Sequence, residues 1–274
     1  MARSETDLLL VGKNSFIAGH LLRVLPKDRV RAVSHDELDR PDLLDGIGRV
    51  INAARHPGSS GPDYDMEALD PDVRLAKRIA DQDIEMIMLS SRKVYAASDG
   101  PLREGSPLGP TDAYGANKLR AEDRLRELLG ERLTILRLAN IFGDERLNGR
   151  RSFLAMLLNR LAEQGQIRYD MSPFVERDFL PVETLAKLLA AIAYEPPGGV
   201  MNIGSGIPLA TGRLALWIME GFGDGELLID THEEKDRFVL DIKKLEERFG
   251  RPCSLDDLRE CCLALGQRLQ EGVG

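Results

Sequence analysis

Apolar residues along the chain come in short runs separated by polar turns. Leu8 to Val11 is uniformly apolar, is closed by Gly12, and gives way to a stretch through Leu25 whose apolar positions recur with helical period. This pattern predicts strand, turn and helix. Val30 to Val33 and Arg49 to Ala54 predict two further strands on either side of the acidic segment DELDRPDLLDGIG. A helix over Pro71 to Asp83 leads into IEMIMLSS (Ile84 to Ser91), whose nearly continuous apolar character suits a parallel strand buried on both faces.

Asp99 to Pro110 is rich in Gly and Pro, and the chain then enters a predicted helix with Thr111 as its cap and Asp112 at its positive end. Leu133 to Ile141 and Phe174 to Val182 predict strands, and Phe153 to Gln164 and Glu183 to Tyr194 predict helices. Pro196-Pro-Gly-Gly interrupts the chain before a short strand within Val200 to Gly206. Helices are expected over Gly212 to Gly221, Asp241 to Phe249 and Ser254 to Gln270. Strands alternating with helices at this spacing predict an α/β fold with a mostly parallel sheet and right-handed crossovers.

Composition narrows the partners. A 43% hydrophobic share over 274 residues excludes a disordered chain, and Lys+Arg 37 against Asp+Glu 45, net −8, speaks against a nucleic-acid partner. Cys253, Cys261 and Cys262 are an odd set that suits a reducing compartment. MARSETDLLLV is too short an apolar start for a secretory signal, and no run reaches the ~18 residues of a membrane span. A cytoplasmic protein with a small-molecule substrate and no membrane partner is expected. His20, His35, His56 and His232 are scattered, so no metal site is expected.

The turn from first strand to first helix, Gly12-Lys13-Asn14-Ser15-Phe16-Ile17-Ala18-Gly19, has the place and small residues that a dinucleotide pyrophosphate needs at a helix N-terminus. Ser15 and Ala18 stand where glycines are usual, and Gly12 by itself would also serve simply to turn the chain. At the end of the second strand, Val33-Ser34-His35-Asp36 leaves NAD and NADP level: an acid there holds a ribose diol and a base favours a phosphate, and His35 is neither at pH 7. Arg31 reads either as a phosphate contact or as a solvated side chain.

Tyr114 and Lys118 share one face of a predicted helix. A nearby ammonium makes a phenol more acidic, which fits it for proton transfer, and Ser91 at the end of a buried parallel strand can hold a substrate oxygen. Gly115 and Ala116 leave room for a bulky partner or allow a close helix contact.

The segments GKNSFIAGHLL, INAA, SSRKVY, YGANK, LRLANIFG, RDFLPVETLA, MNIGSG and DIKKLEERFG occur in the order seen in extended short-chain dehydrogenases/reductases. The chain resembles their NAD-dependent epimerase/dehydratase branch, and HDELDRPDLL resembles a segment of dTDP-4-dehydrorhamnose reductases. The resemblance implies a Rossmann-type doubly wound parallel sheet over 1–142 and 174–205, with a small substrate-binding region from 143–173 and 206–274. It implies Ser91, Tyr114 and Lys118 as the catalytic residues. Gly12, Asn14, Ser15, Phe16, Ile17, His35, Ala53 and Ala54, with Tyr114 and Lys118, would meet NAD or NADP. Ser91, Arg92, Asn140 and Arg177 would meet a nucleotide sugar; Arg177 would alternatively pair with Glu176 or Asp178. Arg150 and Arg151 border the substrate region. A homodimer is a further implication. The stretch Ser90-Ser91-Arg92-Lys93 lacks the Thr-Asp-Glu of dehydratases, which leaves 4-ketoreduction and epimerisation as the expected chemistries, with a non-catalytic NAD(P) sensor as the rival reading.

Overall fold

A computed structural model describes residues 7–145 and 153–272; Arg150 and Arg151 lie outside the described residues. In chain order the strands are β1 (Leu8–Val11), β2 (Val30–Val33), β3 (Arg49–Asn52), β4 (Glu85–Ser91), β5 (Leu133–Leu138), β6 (Asn140–Phe142), β7 (Gln166–Tyr169), β8 (Glu176–Arg177), β9 (Phe179–Pro181), β10 (Gly199–Ile203), β11 (Leu209–Ala210) and β12 (Glu226–Ile229). The helices are α1 (Phe16–Val24), α2 (Met66–Leu69), α3 (Pro71–Ile79), α4 (Ala113–Leu129), α5 (Phe153–Gln164), α6 (Val182–Tyr194), α7 (Thr211–Phe222), α8 (Lys243–Phe249) and α9 (Leu255–Glu271).

Six strands pair in the order β10-β5-β4-β3-β1-β2, and every pairing is parallel. Alternate residues of β1 serve opposite faces. Leu8 and Leu10 join Leu21 of α1 and Leu185 and Leu189 of α6 in one core. Leu9 and Val11 join Val73 and Ile79 of α3 and Leu125 of α4 in the other. Because helices cover both faces, the strands can be nearly continuously apolar, as Met86 to Leu89 of IEMIMLSS are. This is the Rossmann-type doubly wound sheet expected, with its strand order reversing between β1 and β3. A ligand crevice forms at that reversal, beyond the carboxyl ends of the strands.

Several local expectations change. LTILRLANI is two strands: Ala139 N–H donates to Ile203 and Asn140 N–H to Asp178, so the backbone changes partners in the middle of the run. β6 then pairs with β9. Residues 174–182 are likewise split, into β8 and β9. HDELDRPDLL makes one 3₁₀ turn, His35–Glu37, capped by Ser34. The cap of α4 is Asp112, which accepts from Gly115 N–H at 2.7 Å, and not Thr111. The short helix α2 and the strands β7 and β12 were not expected; the two strands pair in parallel.

A buried polar lock sets α4 against the sheet. Glu122 of α4, with no exposure, accepts from Ser90 Oγ of β4 at 2.5 Å and from Arg137 of β5 at 3.1 and 2.7 Å. A buried guanidinium and carboxylate held in a two-point contact fix register and rotation together. Among the described residues no helix is long and apolar enough to cross a membrane.

Candidate active site

A cavity of about 610 Å³ opens at the carboxyl ends of the strands, lined among others by Ile17, Ser91, Tyr114, Asn140, Arg177 and Asp236. Its position follows from the topology. β4 ends at Ser91, whose Oγ accepts from Lys93 N–H at 3.2 Å and caps the 3₁₀ turn Arg92–Val94. α4 starts beside this turn, close enough that a Cβ on Gly115 would lie 2.2 Å from the Lys93 carbonyl oxygen. Of the two sequence readings of Gly115, the close helix contact is the one found. Lys93 also pairs with the capping carboxylate of Asp112. The glycine next to the tyrosine thus lets Tyr114 and Ser91 face one space.

Lys118 is one turn further along α4, outside the lining of this cavity. It borders a space of about 10 Å³ with Ala54, Asp70, Asp72, Tyr114 and Asn117. Its Nζ lies 3.0 Å from Asp72 Oδ2, and Asn52 donates to Asp72 Oδ1 at 2.8 Å. Burial works to lower the Lys118 pKa, but the charge of Asp72, followed by Tyr114 and Asp70, outweighs it and raises the value above the ordinary lysine range. Burial likewise pushes the Asp70 carboxyl up. Asn117 donates to the carbonyls of Ser59 and Gly61 at 3.0 and 2.9 Å, fastening the segment after β3 over the lysine. From that segment the Arg55 guanidinium lies 5.5 Å from the centre of the Tyr114 ring. Sequence reasoning passed over Asp72 and Arg55: Asp72 reads as an ordinary acid in the first turn of a helix, and Arg55 as a polar residue after a strand.

On the opposite wall, Arg177 is buried and donates to the backbone carbonyls of Asp236 and Lys235 at 3.1 and 3.0 Å. Arg92 grips the Asp236 carboxylate with both terminal nitrogens and lies 3.8 Å from the centre of the Phe238 ring. Neither Glu176 nor Asp178 is the partner of Arg177 in these contacts. Glu176 accepts instead from Arg237 at 2.9 Å. Asp178 accepts from Ser205 N–H and Oγ, both at 2.8 Å, from Gly206 N–H at 3.1 Å and from Leu240 N–H at 3.2 Å. Burial pushes the Asp178 carboxyl up to about 6 against the pull of these donors.

The glycine turn fits a dinucleotide. Gly12 has φ +89°, and a Cβ there would meet Ala54 N at 2.7 Å, so the turn packs directly on the end of β3. Ser15 caps α1 by accepting from Ala18 N–H at 3.3 Å, which leaves its O–H able to donate to a phosphate. Ile17, in the first turn of α1, borders the same cavity as Tyr114, so the crevice runs from a helix N-terminus to the phenol. Gly12, Asn14, Ser15, Phe16 and Ile17 would hold the pyrophosphate there, beside Ala53 and Ala54. At the end of β2, His35 Nε2 is 3.2 Å from Asp36 Oδ1, while Arg31 donates to the carbonyls of Asp42 and Leu43 at 2.9 and 2.8 Å. Arg31, half-buried, braces this loop through those two carbonyls.

The cysteines stand apart from this site. Cys253 and Cys262 are buried and Cys261 is half-buried; burial raises all three thiols, that of Cys253 to about 12.

Known proteins share this architecture. Protein YeeZ of Escherichia coli (strain K12) is 30% identical over 151 residues, which are 54% of this chain and 52% of that protein. The chain thus spans about half the length of the curated relatives it matches. The structure is similar to that of UDP-glucose 4-epimerase from Thermotoga maritima with UDP-glucose (TM-score 0.83, 18% identity, 98% of this chain and 100% of that one). It is also similar to a dTDP-4-dehydrorhamnose reductase from Clostridium acetobutylicum (TM-score 0.79, 17% identity, 97% and 100%). At these identities the likeness is one of fold. Residues 8–204 match the model of the NAD dependent epimerase/dehydratase family, and the chain belongs to that family, within the extended branch of the short-chain dehydrogenases/reductases.

Proposed function

We propose that the protein is an NAD(P)-dependent oxidoreductase that transfers hydride to or from a carbonyl or hydroxyl carbon of a nucleotide-activated sugar, working as a 4-ketoreductase. The observation that carries this reading is the shared cavity of Ser91 and Tyr114 at the carboxyl end of β4, with Asn140 and Arg177 on its other side. A bound nicotinamide supplies or accepts the hydride. The Ser91 hydroxyl orients the substrate oxygen, and Tyr114 gives that oxygen its proton during reduction or takes it during oxidation. Lys118, held charged by Asp72, and Arg55 over the ring place positive charge around the phenol. Asn140 positions the sugar, and Arg92 and Arg177 are the cavity guanidiniums that this reading assigns to a substrate diphosphate.

A dehydratase needs an additional acid and base at the end of β4, and Arg92 and Lys93 occupy those places. Epimerisation uses the same Ser, Tyr and Lys groups with two hydride transfers in place of one. Incubating the protein with NADPH and, separately, NADH against a panel of 4-keto nucleotide sugars and their epimers tests the reading. Net loss of absorbance at 340 nm with formation of the alcohol is the expected result. Interconversion of epimers without net cofactor oxidation assigns the epimerase instead, and cofactor binding with turnover of neither class assigns a sensor.

A further inference from the structure

The substrate side of the cavity contains a carboxylate in the place where the reading above puts a substrate anion. Asp236 takes Arg92 in a two-point contact, its Oδ2 lies 3.7 Å from Arg177, and its backbone carbonyl accepts from Arg177 at 3.1 Å. The side chains of Arg92 and Arg177 are only 10% and 8% exposed, whereas that of Asp236 is 42% exposed and faces the cavity. The two guanidiniums are therefore sunk in the wall, and the carboxylate covers them from the solvent side.

The segment is built to hold this arrangement. Asp236 has φ 59°, the only non-glycine with positive φ among the described residues. Left-handed backbone in a residue with a Cβ persists where surrounding contacts impose it. Those contacts are present on both sides: Phe238 N–H donates to Glu176 at 3.3 Å, Asp178 N–H donates to Phe238 at 3.0 Å, and Ser172 N–H donates to Glu233 at 2.9 Å. Phe238, two residues on, lies under the Arg92 guanidinium. Burial alone would raise the Asp236 pKa, but the hydrogen bonds and charge of Arg92, with the charge of Arg177, lower it, so the carboxylate stays ionised.

We propose that Asp236 is a specificity-determining residue that occupies the anion site formed by Arg92 and Arg177, so that a phosphate-bearing ligand binds only by displacing this carboxylate from the guanidiniums. The proposal rests on the reading of these arginines as the substrate's diphosphate contacts. Its consequence is selective. A ligand that offers phosphates alone must replace two charge-assisted hydrogen bonds already made, whereas one that also fills the cavity beside Ser91 and Asn140 gains contacts that offset the exchange.

Calorimetric titration of the full chain with inorganic pyrophosphate, at one fixed salt concentration, tests this. Asn tolerates the left-handed backbone, so Asp236→Asn removes the charge with little change in the turn. It is expected to tighten pyrophosphate binding about tenfold or more, the scale of one charge-assisted hydrogen bond. Asp236→Gly, which also relieves the backbone, is expected to give the same gain and serves if the Asn variant fails to fold. The gain should vanish in the Arg92→Ala/Asp236→Asn double variant. Binding by Asp236→Asn or Asp236→Gly that is no tighter than wild type, including binding by neither, overturns the proposal, as does a gain that survives loss of Arg92. The titration contains no sugar and no cofactor. Failure of the turnover assay would therefore remove the nucleotide-sugar reading, while the pyrophosphate comparison would still decide the role of Asp236.

Discussion

Lys118 and Asp72 form an ion pair at 3.0 Å between α4 and α3, and neither residue is more than 8% exposed. Removing one partner strands the other charge where water cannot reach it. Lys118→Met is expected to lower unfolding free energy by about 3–5 kcal/mol in urea titration, and to weaken cofactor binding and turnover. Adding Asp72→Asn to that variant should recover most of the stability without recovering turnover. If the double variant is no more stable than Lys118→Met, the ion pair is not what the lysine contributes to the fold.

Tyr114→Phe keeps the ring beneath Arg55 and deletes only the hydroxyl. Fold and cofactor titration should match wild type, while turnover falls about 100-fold or more, the scale of a general acid or base. Equal turnover would remove Tyr114 from the chemistry.

Gly115→Ala tests the approach of α4 to the end of β4. The added Cβ meets the Lys93 carbonyl at 2.2 Å, and since the obstacle is backbone, the helix must retreat. A loss of about 2 kcal/mol or more in stability is expected. Turnover should fall with it, because the retreat carries Tyr114 away from Ser91. A variant as stable and active as wild type would show that the contact is not needed.

Asp178 gives the fold a pH dependence of defined sign. Its folded-state pKa, near 6, lies above the ordinary 3.8, so protonation favours the folded chain. This contribution is fully present below about pH 3.8 and is lost as pH rises through about 6, and amounts to about 3 kcal/mol. Wild type should therefore lose stability relative to Asp178→Asn between pH 4 and 7 in parallel urea titrations. A difference independent of pH would refute the shift. Since Asp178 also accepts from Leu240 N–H, its ionisation bears on the segment that carries Asp236.

The main sheet was legible because its strands are apolar on both faces and end in glycine or polar turns, a local pattern. Ser91, Tyr114, Asn140 and Arg177 could likewise be found in motifs. Asp72 could not, because its partner is 46 residues away and nothing local distinguishes it from any acid at a helix start. Asp236 was hidden for the same reason: its left-handed backbone and its contact with Arg92, 144 residues distant, are set by tertiary packing. β7 and β12 escaped notice because each is four residues long with a charged or polar start.

The parallel pairing of Gln166–Tyr169 with Glu226–Ile229 bears on the birth of the molecule. All six strands of the main sheet have been translated once residue 203 has left the ribosome, yet the earlier member of this pair has no mate for another two dozen residues of synthesis. During that interval its hydrogen-bonding edge is open to any neighbouring nascent strand. Messages cut short after residue 203 and before residue 226 should yield polypeptides that precipitate, even though every strand of the main sheet is already encoded.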